Sequence, residues 1–134
     1  MVWHIAVYTL VWLAVYVPGE TYVTISIAGR WGLLHPAYLM NVVGMVLMFW
    51  GVRAALTRQG IAPALLAVAW SWTAATMWRA TVDRFWYVSL GRELYAGRME
   101  LWLGPIITAL AVLPMVASLV LLLKQRHSFS PTPR

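Results

Sequence analysis

The run LWLGPIITALAVLPMVASLVLLL, at residues 101–123, contains no Asp, Glu, Lys or Arg. Three further uncharged runs of similar length lie at residues 1–19, 31–52 and 59–78. About 20 helical residues, rising about 1.5 Å each, cross a hydrocarbon core of about 30 Å. Backbone groups in lipid must hydrogen-bond within their own segment, which excludes open strands. We therefore predict an all-α integral membrane protein with four transmembrane helices, near residues 2–18, 35–56, 61–80 and 102–123.

The composition agrees with a membrane protein and excludes most soluble classes. Of the 134 residues, 62% are hydrophobic and 10% are charged, against about 45–50% and about 25% in soluble domains. The net charge of +6 would suit nucleic acid only if the basic residues formed one solvated face. Here they lie scattered between apolar runs, so we expect no nucleic-acid partner. The chain has no cysteine, which excludes disulfides, thiolate nucleophiles and cysteine-ligated metals.

Four spans place both termini on the same side of the membrane. Lys124 and Arg126 directly follow the last span, and basic residues beside a span favour the cytoplasm. We expect cytoplasmic termini, a bacterial inner membrane, and two longer loops on the non-cytoplasmic side. Residues 1–123 form a single domain in this prediction, and the basic tail 124–134 is expected to be disordered. The first run lacks the features of a cleavable signal peptide, so we expect it to be retained as a helix.

The first longer loop contains the sequence YVTISI at residues 22–27, in which polar and apolar side chains alternate. A period of two with many β-branched residues is typical of a strand. We therefore predict a short surface strand at residues 21–28. The alternative is that the first helix continues past Pro18 and carries Glu20 with it.

The second longer loop, residues 79–100, has apolar side chains at i+4 spacing, namely Val82, Trp86, Leu90 and Leu94. This spacing predicts an amphipathic helix, or a third span that runs on past the bilayer. Gly91 and Gly97 are expected to mark its end. We expect this loop to dock on a partner protein through Arg84, Trp86, Arg92 and Tyr95.

Small side chains recur along three of the spans, and helices in lipid associate by close packing of such residues. The third span has a seam with spacings of four and three, made of Gly60, Ala64, Ala67, Ser71 and Ala74. The second and fourth spans contribute Gly44, Gly51, Thr108 and Ala111. The seams predict a tight bundle, or helices docked on a larger partner.

An aromatic stripe runs along the first span at i+4 steps, formed by His4, Tyr8, Trp12 and Tyr16. It is a candidate groove for a quinone, a carotenoid or another pigment, with His4, Tyr8 and Trp12 as lining residues. The alternative is a packing face whose aromatic tips reach the interfaces and the neighbouring helices.

His35 stands immediately before Pro36 at the start of the second span. A histidine in an apolar helix can ligate haem iron or the magnesium of a chlorin, so His35 is a candidate pigment ligand. The alternative is an interfacial hydrogen bond. His4 belongs at the opposite membrane face in this topology, which disfavours bis-histidine haem, and no other metal site is predicted.

The acidic residues all fall outside the predicted hydrocarbon, namely Glu20, Asp83, Glu93 and Glu100. Proton relays and transport sites normally place an ionisable group near mid-membrane. Proton coupling is therefore disfavoured unless a longer first span buries Glu20. Asn41, within the second span, is expected to form an interhelical hydrogen bond. We find no catalytic motif and do not expect an enzyme.

These features predict a non-catalytic accessory subunit of a larger membrane complex, with photosynthetic and respiratory complexes as the first candidates. The expected partners are membrane lipids and larger membrane subunits. The expected ligands are a bound lipid, quinone, carotenoid or chlorin pigment. A small oligomeric transporter, channel or holin-like pore is one alternative. A small-molecule binder or membrane enzyme that uses His35 or Glu20 is the other.

Overall fold

The computed structural model describes residues 1–94 and 99–128. Within these ranges the chain forms four α-helices, one short 3-10 helix and no strand. In chain order the elements are α1 (Val2–Ala28), the 3-10 helix (Arg30–Leu34), α2 (Pro36–Leu56), α3 (Ala62–Ser89) and α4 (Met99–Ser128). The fold is all-helical, as the sequence predicts.

Three of these helices are long and apolar enough to cross a membrane. The qualifying segments are Val2–Ser26, Pro36–Leu56 and Leu101–Arg126. The fourth predicted span falls within α3, which does not qualify and whose second half carries Arg79, Asp83 and Arg84. α3 makes its main contacts with α2 and α4, so much of its surface faces protein. The chain has the fold of an α-helical membrane protein, with three candidate spans in its described residues.

The predicted surface strand at residues 21–28 is wrong, because α1 continues as a helix through Pro18 to Ala28. Pro18 removes one backbone N–H donor from the helix. An isolated strand at the membrane would instead leave a whole row of N–H and C=O groups unpaired. The need to hydrogen-bond backbone N–H and C=O groups therefore outweighs the alternation of polar and apolar side chains. Glu20 consequently lies inside the helix.

The last turns of α1 are held by side-chain hydrogen bonds. The hydroxyl oxygens of Thr21 and Tyr38 lie 2.9 Å apart and join this segment to α2. Ser26 donates to the carbonyl oxygen of Tyr22 at 2.8 Å. Gly29 caps the C-terminus of the helix, and its φ of 63° is a backbone conformation that favours glycine.

α3 and α4 also extend beyond their predicted spans. α3 runs on through the second predicted loop to Ser89, as one of the two alternatives had it, and Gly91 follows with a φ of 70°. α4 reaches Ser128, so residues 124–128, which were expected to belong to a disordered tail, continue the helix. Lys, Gln and Arg at the start of that segment are good helix formers. Gly97 and residues 129–134 lie outside the described residues.

The buried core lies at the end of the bundle where α2 turns into α3. Large side chains there come from two helices and pack beneath α1, namely Met48, Leu66 and Trp70. Gly51 lets the two helices approach, because a Cβ atom there would lie 2.9 Å from Cδ2 of Leu66 and 3.3 Å from its backbone nitrogen. Close approach of backbones at glycine is a common way of packing helices in lipid.

The predicted seam residues take different places in this packing. Fully or nearly buried are Gly44, Gly51, Ala67, Ala74, Thr108 and Ala111. Ala64 and Ser71 are half-buried, and Gly60 is exposed with nothing within 4 Å of its Cβ position. Most of the seam faces another helix, whereas Gly60 belongs to the turn before α3.

We expect Gly51→Leu to lower the free energy of unfolding by about 1–3 kcal/mol, because the added side chain overlaps Leu66. Gly19→Leu is the matched control, since Gly19 is also helical and has nothing within 4 Å of its Cβ position. The control should leave stability unchanged or raise it by up to about 0.8 kcal/mol through helix propensity. Unfolding by SDS in mixed micelles measures both variants. Equal losses would show that the two helices do not meet at Gly51.

Candidate functional site

A cavity of about 260 Å³ lies between the helices at the end opposite the core. All four helices contribute to its lining, including Tyr16 and Glu20 of α1, Asn41 of α2, Arg84 of α3 and Leu103 of α4. These positions come late in α1 and α3 and early in α2 and α4. The cavity therefore opens at the end that carries the α1–α2 and α3–α4 connections.

The acid in this cavity is Glu20, and its partner is an amide of the neighbouring helix. Asn41 Nδ2 donates to Glu20 Oε1 at 2.9 Å, in a partly buried contact. Arg84 also interacts electrostatically with this carboxyl group, and the ion pair between Arg79 and Asp83 is a separate contact. A carboxylate has two oxygens and about four acceptor sites, so one amide leaves most of its capacity unused.

The depth of Glu20 follows from the length of α1. Residue 14 is the midpoint of the candidate span Val2–Ser26, and Glu20 stands about 9 Å beyond it at about 1.5 Å per residue. The half-thickness of the hydrocarbon core is about 15 Å. With the span centred in the bilayer, the carboxyl group is at hydrocarbon depth. The expectation that Glu20 lies outside the hydrocarbon depended on a span ending at residue 18, whereas the candidate span extends to Ser26.

A phenol and a guanidinium share the cavity with this acid. Tyr16 lies one turn before Glu20, and its buried hydroxyl has no hydrogen-bond partner among the described residues. Arg84 donates through Nη1 to the carbonyl oxygen of Ala80 at 3.1 Å. Both Glu20 and Arg84 interact electrostatically with Tyr16. Groups of opposite charge thus line one cavity from different helices.

The rim and the remaining wall have different chemistry. Arg79 and Asp83 form an ion pair of 3.6 Å at the rim, with both side chains 59% exposed, so this pair contributes little to stability. The α4 wall is aliphatic and includes Leu103 and Ile107. The cavity therefore combines charged groups on α1 and α3 with an apolar surface on α4.

A void of about 10 Å³ adjoins the main cavity and is lined by Trp12, Tyr16 and Asn41 among others. The indole N–H of Trp12 is buried and has no partner among the described residues. A void of this size is at the lower limit for one water molecule. Polar groups thus continue from the cavity toward the core.

Comparisons with protein-family models, curated proteins and solved structures give no match.

The aromatic stripe of α1 packs mainly against Trp70 of α3. The ring of Tyr8 lies 5.5 Å from that of Trp70, and Trp12 meets the same indole edge-on at 5.3 Å. His4 is exposed. The structure thus places Tyr8 and Trp12 in a packing face, while Tyr16 lines the cavity.

A proline in α4 explains the hydrogen bond that Tyr8 makes. Pro114 has no N–H, so the carbonyl oxygen four residues earlier, on Leu110, loses its helical donor. The Tyr8 hydroxyl donates to that oxygen at 2.9 Å. One side chain of α1 therefore completes the backbone hydrogen bonding of α4.

His35 serves as the N-cap of α2. Its Nδ1 accepts a hydrogen bond from the backbone N–H of Ala37 at 3.2 Å, and its side chain is exposed. It is not among the residues that line the cavity. Across the described residues, no group of three His, Asp or Glu side chains is placed to hold a metal ion.

The structure describes three of the four predicted docking residues. Arg84 lines the cavity, whereas Trp86 is 65% exposed. Arg92 places its guanidinium 5.3 Å from the centre of the Tyr87 ring. Tyr95 lies outside the described residues.

Sequence reasoning identified Glu20 and Asn41 separately but did not pair them. The signal was the i+4 stripe of α1, whose next step after Tyr16 is Glu20. Read as a continuous helix, this stripe places the acid on the face that meets the other helices. Because a strand was predicted at residues 21–28, the first span was ended at residue 18 and Glu20 was not placed on this face.

We expect Tyr8→Phe to destabilise the protein by about 1–2 kcal/mol, because the Leu110 carbonyl loses its donor. In a Pro114→Ala background the new backbone N–H can pair with Leu110, so the same change should cost almost nothing. A double-mutant cycle in SDS unfolding measures the difference between these costs. Equal costs in the two backgrounds would rule out this account of the Tyr8 contact.

Proposed function

We propose that this protein binds the polar head of a membrane amphiphile in the cavity around Glu20. The observation that carries the proposal is a carboxyl group within a candidate membrane span that lines a cavity and accepts a hydrogen bond from an amide. Ionisable side chains are costly in the bilayer, and those present usually mark binding or transport sites. The proposal develops the alternative of a small-molecule binder that uses Glu20.

The walls of the cavity support an amphiphile as the ligand. Glu20, Asn41 and Arg84 offer acceptors and donors to a polar head, and the α4 wall offers aliphatic surface through Leu103 and Ile107. Leu103 is 41% exposed, so this wall continues to the outer surface of the bundle. A volume near 260 Å³ is below the range of about 300–1,000 Å³ for drug-sized pockets. It suits a head group whose chain lies outside.

The proposed membrane arrangement has α3 as a fourth span inside the bundle. Its threonines donate to carbonyl oxygens of the same helix, as Thr73 does to Ala69 at 2.9 Å. Four spans would return both termini to one side, and Lys124 and Arg126 favour the cytoplasm for that side. A bacterial inner membrane fits this arrangement.

We expect Leu103→Trp to fill the cavity and lower the amount of co-purified amphiphile about tenfold, because the larger side chain excludes the head group. Leu113→Trp is the matched control, since Leu113 lies on the same helix and is 66% exposed. The protein is purified in a nonionic detergent, and bound small molecules are quantified per chain by mass spectrometry. The proposal fails if no amphiphile accompanies the wild-type chain, or if both variants carry as much as it does.

A second candidate function is the accessory subunit of a larger membrane complex. The favouring observation is the far end of α3, where apolar or aromatic side chains are exposed on all sides, namely Val82, Phe85, Trp86, Tyr87, Val88 and Leu90. Successive residues point about 100° apart on a helix, so these exposed side chains surround the helix and do not lie on a single face. A protein partner would cover this aromatic end. The choice of a photosynthetic or respiratory complex stays a prediction.

For this candidate, we expect a photo-crosslinking residue at Trp86 to capture one protein in a complex of fixed stoichiometry on native gels. Val15 is the control position, since it is 71% exposed in the middle of α1 and is expected to face lipid. Capture of the same proteins from both positions, or of lipid alone from Trp86, would contradict a subunit role.

A further inference from the structure

We infer that the ligand of this cavity is an amphiphile with an uncharged, hydroxylated head, as in a monoacylglycerol. The inference rests on the proposed function and specifies the chemistry of the head group. Two features of the lining support it. The charged side chains already balance one another, and the uncharged polar groups include both hydrogen-bond donors and acceptors.

The balance of charge in the lining is the first argument. The cavity is lined by two acids and two bases, namely Glu20, Asp83, Arg79 and Arg84. Arg79 and Asp83 form an ion pair, and Arg84 interacts electrostatically with Glu20. Each of these charges therefore has a counter-charge within the protein. A head group with a net charge would upset this balance, and an unbalanced charge is costly away from water.

The uncharged polar groups of the lining are the second argument. Asn41 uses one N–H in its hydrogen bond to Glu20, and a primary amide also has a second N–H and an acceptor oxygen. The Tyr16 hydroxyl is a donor without a hydrogen-bond partner among the described residues. A hydroxyl group on the ligand both donates and accepts, so it can pair with the amide and with the phenol. A carbonyl group only accepts, so it can pair only with the donors.

The position of Tyr16 makes a ligand oxygen valuable to its hydroxyl group. Tyr16 is two residues from the midpoint of the candidate span Val2–Ser26, which is about 3 Å along the helix. A buried hydroxyl without a hydrogen bond is unfavourable, and the interior of a bilayer offers little water to pair with it. A head-group oxygen that reaches this hydroxyl removes that cost. Tyr16 is therefore the residue that we expect to select a ligand with such an oxygen.

The aliphatic wall on α4 is the third argument, because it favours an amphiphile over a soluble polyol. Leu103 and Ile107 line the cavity, and Leu103 is also exposed on the outside of the bundle. An acyl chain can follow this wall from the cavity to the lipid. Free glycerol has no apolar group to place there.

The test compares six probes on the full chain in an amine-oxide detergent, whose head has no hydroxyl group and does not imitate the expected ligand. Five probes have chains of one length, namely a monoacylglycerol, the fatty acid methyl ester, lysophosphatidylglycerol, lysophosphatidylethanolamine and an alkylamine. Glycerol, without a chain, is the sixth. Native mass spectrometry and titration calorimetry measure binding. We expect the monoacylglycerol to bind at least about tenfold more tightly than each other probe, because it alone is uncharged and combines hydroxyl groups with a chain.

The substitution Tyr16→Phe tests the hydroxyl contact. It removes one donor and keeps the ring, so it should weaken monoacylglycerol binding about tenfold. Tyr22→Phe is the matched control, since Tyr22 is also on α1 but is 74% exposed and does not line the cavity. The control should change binding by less than about twofold. Equal affinities in the two variants would overturn the role of Tyr16.

The substitution Glu20→Gln tests the charge balance. It gives the lining a net positive charge, so the affinity for lysophosphatidylglycerol relative to the monoacylglycerol should rise about tenfold. Glu93→Gln is the matched control, because Glu93 is exposed and lies outside the lining. This control should leave the ratio within about twofold of its wild-type value. An unchanged ratio in Glu20→Gln would overturn the charge argument.

The wild-type results separate this inference from the proposed function, even if a variant fails to fold. If a charged or zwitterionic probe binds as tightly as the monoacylglycerol, the uncharged head is overturned while amphiphile binding stands. If the methyl ester binds as tightly, the hydroxyl requirement is overturned in the same way. If glycerol binds as tightly, the ligand is soluble and both proposals are overturned. If no probe binds, the inference is overturned, and the proposed function is overturned with it unless an amphiphile co-purifies.

Discussion

The packing of α1 against α3 depends on the indole of Trp70. This side chain is fully buried, and its N–H donates to the hydroxyl of Thr9 at 3.0 Å. The rings of Tyr8 and Trp12 pack against the same indole at 5.5 Å and 5.3 Å. An aromatic contact with a directional hydrogen bond fixes both the rotation of α1 and its height along α3. The later α1 residues are also joined to α2, through the hydrogen bonds of Glu20 with Asn41 and of Thr21 with Tyr38.

The two ends of the bundle differ in how densely they pack. Near Trp70, small residues and a missing Cβ at Gly51 bring helices into close contact. Toward the other end, the same helices carry Glu20, Asn41 and Arg84 around a cavity. Polar groups in a bilayer need partners or water, which prevents the dense packing of an apolar core. The well-packed end thus positions the polar end.

Much of the fold could be predicted from the sequence because long apolar runs have few structural solutions in lipid. The runs predicted α1, α2 and α4, and the seam predicted buried contacts at Ala67 and Ala111. The strand prediction failed because a two-residue pattern is weaker than the need to pair every backbone group. The contact of Glu20 with Asn41 could not be predicted, since it depends on how two helices are rotated against each other. Trp70, on a third helix, contributes to that rotation through its contacts with Tyr8 and Trp12.

The order of synthesis gives the pairing of Glu20 with Asn41 a further consequence. The two residues are 21 positions apart, so Asn41 is translated after Glu20 and lies in the next long helix along the chain. An isolated α1 would carry a carboxyl group into the bilayer without a hydrogen-bond donor from another helix, which is unfavourable. Once α2 follows, the two helices can enter as an antiparallel hairpin with the acid already paired. A hairpin of α1 and α2 is therefore a more favourable unit for membrane insertion than α1 alone.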